Sequence, residues 1–61
     1  MKPEITKCLE LISDADDLAK DWLIASWHEK DEDKIIALAY YSKASKERAE
    51  LVRRLVELCQ N

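Results

Sequence analysis

"HEKDEDK", residues 28–34, is the longest uninterrupted polar stretch in the chain, and its reading decides the fold. Either a single helix runs through it, or the chain turns back on itself. The chain contains no glycine, and its sole proline is Pro3, so neither strong punctuator marks a break after residue 3. Seven polar residues nevertheless span two helical turns with no apolar contact to hold them against a neighbour. Asp31 suits an N-cap, with Glu32 and Asp33 following in the first turn, where acidic groups favour the positive helix end. The stretch therefore predicts a turn near residue 30.

Both sides of it read as amphipathic helix. Pro3 fits the first helical position, where its missing N–H is not needed, and Glu4 follows it. At about 100° per residue, Ile5, Cys8, Leu9, Leu11, Ile12, Ala15, Leu18, Ala19, Trp22, Leu23 and Trp27 gather on one half of the wheel. Lys7, Glu10, Ser13, Asp14, Asp17, Lys20, Asp21 and His28 hold the other half, and Ile24 stands apart from the stripe. The second stripe carries Ala37, Tyr40, Tyr41, Ala44, Leu51, Val52, Leu55, Leu58 and Cys59, flanked by Leu38 and Val56. A long coiled coil through the whole chain would make the stripe drift backward by about 20° per heptad. Here its centre moves slightly forward. The expectation is all-α: a long antiparallel helical hairpin with helices at about 3–29 and 32–59, a single domain over 1–61.

Sixty-one residues are few for such an architecture. A chain near this size buries only about 60% of its unfolded surface, and two rods side by side leave the outer part of each stripe wet. Dimerisation into a four-helix bundle is the expected remedy. In outline the chain resembles the small dimeric hairpins that form antiparallel four-helix bundles, a likeness of shape that implies no activity.

Charge divides along the hairpin. Residues 1–29 carry three basic and seven acidic side chains, and residues 34–61 carry six basic and three acidic. Such complementarity steers pairing more than it stabilises it. Arg48 falls on the apolar side of helix 2, between Tyr41, Ala44, Val52 and Leu55. If 29 lies level with 32, Arg48 comes within a turn of Asp16, with small Ala44, Ser45 and Ala49 leaving room. Asp16 and Arg48 are thus a candidate register ion pair. The plainer reading packs the Arg48 stem on Tyr41 and Val52 and lets its head reach water.

Several activities are disfavoured. The net charge of −3 implies no whole-chain attraction to nucleic acid or anionic lipid. No apolar run approaches eighteen residues, and no apolar core with a cleavage site follows Met1-Lys2-Pro3, so neither a membrane span nor a signal peptide is expected. Two cysteines, Cys8 and Cys59, are too few for a disulfide framework and stand at different levels of a hairpin, which suits a reduced, cytoplasmic protein. Both read as small apolar fillers. Asp14, Asp17 and Asp21 share a polar face, but the Glu-x-x-His spacing of bundle metal sites is missing, and a solvated face is the simpler reading. The single histidine has no cysteine near it, and there is no phosphate loop. No enzyme activity and no cofactor are expected.

What remains is recognition. Trp22, Trp27, Tyr40 and Tyr41 cluster toward the turn. They read first as a local aromatic core, and second as a binding hot spot, since Trp, Tyr and Arg are enriched there. Ile24, Trp27, Tyr40, Tyr41 and Arg48 are the candidate protein-interface residues. A protein partner fits an adaptor, an inhibitor or a small chaperone. Lys43, Lys46, Arg53 and Arg54 give helix 2 a basic outer side and support the alternative of an RNA-binding regulator. Glu50 and Glu57 interrupt that row and no aromatic interleaves it, so nucleic acid is the less favoured partner. A third possibility is an obligate subunit that folds onto a larger protein.

Overall fold

The computed structural model describes residues 2–60. They form an all-α hairpin of two helices, α1 (Pro3–His28) and α2 (Asp31–Gln60), packed along their length. The molecule is 46 Å long and 14 Å across, matching the roughly 45 Å that thirty residues span at 1.5 Å rise.

The turn needs only Glu29 and Lys30. Glu29 is extended, with φ −97° and ψ 157°, and directs the chain out of α1. No described residue has positive φ, which is why the chain reverses without glycine. Lys30, rather than the expected Asp31, takes the N-cap place of α2: its carbonyl accepts the Lys34 N–H at 2.7 Å. Asp31, Glu32 and Asp33 then all lie within the first turn, against the positive helix end. At the other end, the Lys2 carbonyl accepts from the Ile5 and Thr6 amides, both at 3.1 Å, with Pro3 as the first helical residue.

The seam between the helices differs from the broad stripe of the wheel. Its buried residues are all small: Cys8, Ala15, Ala19 and Ser26 on α1, Ala37 and Ala44 on α2. Along α1 they step by seven, four and seven, and along α2 by seven, the spacing of a two-helix seam. Small side chains let the two backbones approach closely, and the larger apolar groups are pushed to either side. Leu9, Leu11, Leu18 and Trp27, all on the expected apolar half of α1, remain exposed, as do Tyr40 and Val56 on α2. Ser26 is the unexpected core member, 2% exposed, and its hydroxyl donates to the Leu23 carbonyl of its own helix at 2.6 Å. Cys8 is buried and its thiol donates to the Leu51 carbonyl across the seam at 3.3 Å, whereas Cys59 is exposed and is no core filler.

The cost of this architecture is surface. A compact 7.1 kDa monomer is expected to expose about 4,100 Å². The hairpin exposes 4960 Å². About half of the unfolded surface is buried, below the roughly 60% usual for this size.

Candidate functional site

Two broad faces flank the seam, and the helical repeat decides what each carries. One presents the Trp22–Tyr40 pair, whose rings stack with centroids 4.7 Å apart and planes at 17°. The other presents Asp16 and Arg48, with Arg48 Nε 3.2 Å from Asp16 Oδ1.

On the stack face, four shallow concavities join into one furrow. The largest, about 520 Å³, lies between the helix ends and is lined by Cys8, Leu11, Leu51, Leu58 and Arg54 among others. Leu11 and Arg54 continue into the next, beside Glu47 and Glu50. Glu47 leads into a third, with Leu18, Trp22, Tyr40 and Lys43, and Trp22 into a fourth, with Ala25, Ile36 and Ala37. Apolar side chains form the floor, and charges of both signs form the rim. An offset aromatic pair of this kind contributes about 0.5–1.5 kcal/mol beyond its buried area.

The ion-pair face is smoother and has fewer charges. Its central concavity of about 290 Å³ is lined by Asp16, Ala19, Lys20, Leu23, Tyr41, Ser45 and Arg48. Leu9, one heptad before Asp16, and Trp27, one turn beyond Leu23, extend the same face along α1. Leu38, Val52 and Val56 do so along α2. The side chains of Arg48 and Asp16 are 47% and 51% exposed, so the pair stands at the rim of the seam and contributes about 0–1 kcal/mol in the lone hairpin. Both sequence readings of Arg48 describe part of this geometry: it meets Asp16, and its head is wet.

The aromatic cluster expected near the turn is divided. Trp22 and Tyr40 belong to the stack face; Tyr41 and Trp27 lie on the ion-pair face, and Trp27 is 67% exposed. Ile24 stands exposed on the outer edge of α1, and Ile35, which the wheel did not single out, stands exposed on the outer edge of α2. The basic residues are likewise split. Lys43 and Arg54 line the furrow beside Glu47 and Glu50, while Lys46 and Arg53 lie on the outer edge of α2.

Among the described residues, no group of three or more His, Cys, Asp or Glu side chains is placed to hold a metal ion. No helix among them is long and apolar enough to cross a membrane. Every buried side-chain nitrogen and oxygen among them has a hydrogen-bond partner. No family model, curated protein or solved structure matches the chain.

Proposed function

We propose that this chain is a small non-enzymatic protein-binding module, an adaptor, inhibitor or small chaperone, that works in the cytoplasm as a homodimeric helical bundle. The observation that carries the reading is the inverted distribution of side-chain size. Only small residues are buried, while ten large apolar side chains among those described stay more than a third exposed. They are shared between the two faces and the outer edges, and apolar surface exposed in this amount is characteristic of interfaces. The two faces suit different tasks. The ion-pair face, whose central concavity carries the Asp16–Arg48 pair and one further charge, Lys20, is closer to the apolar core of a homodimer interface. The stack face has a furrow with a stacked aromatic pair and a polar rim, the anatomy of a site for a separate protein.

Lys43 and Arg54 share their concavities with Glu47 and Glu50. A basic track for a phosphate backbone is thereby interrupted, which places the RNA-binding reading second. Binding from native-host extract, with nuclease treatment and a salt series, separates the readings. Protein capture that survives nuclease and Arg53→Ala but is lost in Leu18→Ala/Ile36→Ala supports the proposal. Nuclease-sensitive capture with a steep log–log loss of affinity in salt, weakened by Arg53→Ala, supports RNA binding instead. A purified chain that is unfolded until its partner is added identifies an obligate subunit.

A further inference from the structure

The homodimer proposed above can be built in two ways on the ion-pair face, and the charges choose between them. If the twofold axis runs along the hairpin, both turns lie at the same end and α1 of each copy packs on α2 of the other. If it runs across the hairpin, the turns lie at opposite ends, α1 packs on α1 and α2 on α2. Facing helices are antiparallel in both, so helix dipoles do not discriminate.

We infer that a second copy of this chain covers the ion-pair face with both turns at the same end, so that each acidic α1 lies against the basic α2 of its partner.

The hairpin register makes the match residue by residue. The Trp22–Tyr40 stack sets which residues of α1 and α2 share a height. A twofold axis along the hairpin preserves height, so the same rule holds between copies. On that rule Leu9 meets Val52, and Leu23 meets Leu38, each to within about one residue, or 1.5 Å. The outer edges agree as well. Glu10 and Asp17, one heptad apart on α1, come level with Arg53 and Lys46 on the partner's α2, and exposed Ile24 faces the apolar ridge between Ile35 and Leu38. At the centre, each Asp16 faces the partner's Arg48 as well as its own. The result is a closed ring of four alternating charges. The crossed arrangement, when centred on the same pair, instead sets Asp16 beside Asp16 and Asp17 beside Asp17, like-charge contacts that disfavour that register; centred two residues further along it matches Asp16 only with Lys20 and leaves the Glu10 and Asp17 edge without a basic partner.

The area is adequate. The face is 46 Å by 14 Å, roughly 640 Å² in projection, near the ~800 Å² per partner of a standard interface once side-chain relief is counted. The surface that the hairpin exposes beyond a compact monomer of its mass is of similar size, about 900 Å². One such interface would bring the chain to ordinary compactness.

The test is the distance between spin labels at Lys30→Cys in a Cys8→Ala/Cys59→Ser background, measured by double electron–electron resonance on protein shown to be dimeric. Lys30 is in the turn and outside both faces, so the label leaves them intact. The expected result is one short distance, at most about 20 Å, because the two turns lie about one helix diameter apart and each label adds its own reach. A distance near the molecular length of 46 Å, or a mixture of the two, overturns the arrangement while leaving the homodimer standing. A monomer at every concentration overturns the homodimer itself. Charge exchange gives a second measurement: Glu10→Arg and Arg53→Glu each weaken dimerisation about threefold, and the double variant restores it. Failure of the double variant to restore affinity counts against the facing of these two edges.

Discussion

Ala44→Leu tests the close approach of the two helices. Ala44 is 2% exposed and lies on the seam line one heptad from Ala37. The concavity it borders, beside Trp22 and Tyr40, is about 130 Å³ and open to solvent, not space inside the seam for three more carbons. The added atoms must therefore part the backbones or leave their rotamer wells, at about 1–3 kcal/mol. For a domain of this size, 1 kcal/mol moves Tm by about 4–8 °C, so a 2 kcal/mol penalty lowers it by about 8–16 °C. Helicity at 222 nm is followed against temperature at one fixed protein concentration, because dimerisation makes Tm concentration-dependent. Ala39→Leu is the control: Ala39 is exposed on α2, and the same change there stays within about 0.5 kcal/mol. If Ala44→Leu matches the control, or raises Tm, the helices are not held at contact by small side chains and the account of the seam is wrong.

Ser26→Ala stabilises the protein by a few tenths of a kcal/mol, because the hydroxyl bonds only within its own helix and alanine is the better helix former; a loss above about 1 kcal/mol in urea unfolding indicates a role across the seam. Asp16→Asn alone weakens dimerisation about tenfold by leaving a guanidinium uncompensated at the covered face, and adding Arg48→Met recovers it; equal affinities for the single and double variants in sedimentation would show that the pair is never covered. In a Trp22→Phe variant, Trp27 emission moves to shorter wavelength as concentration rises and the dimer covers it, while Trp27→Phe shows a smaller change; an unchanged spectrum places Trp27 outside the dimer.

The polar run at residues 28–34 made the reversal legible, because two turns without apolar contact cannot lie against a neighbouring rod. The helix limits followed to within one residue, and the proximity of Asp16 to Arg48 followed from register alone. The seam itself was obscured. A hydropathy wheel weights leucine and tryptophan most, so it centres on the large side chains. Backbones approach where side chains are smallest, and that requirement selects alanine, serine and cysteine. Ser26 gave no signal on a polarity scale; its heptad spacing from Ala19 was the available clue. The division of the aromatics had a similar cause. Tyr40 and Tyr41 are adjacent in sequence, but a 100° step carries them to opposite sides of a narrow seam, Tyr40 toward Trp22 and Tyr41 toward Arg48. Cys59, on the wheel's apolar half, is exposed near the end of α2, level with the first residue of α1, where little of the neighbouring helix remains to cover it.

The central claim is that a hairpin closed by small residues leaves its large apolar side chains to be covered by another copy. Sedimentation equilibrium of the purified chain, with circular dichroism on the same samples, tests it most directly. The expected result is a folded species of twice the 7.1 kDa chain mass at micromolar concentration, losing helix as dilution dissociates it. A single-chain mass at every concentration, with full helicity and a cooperative unfolding transition, would contradict it.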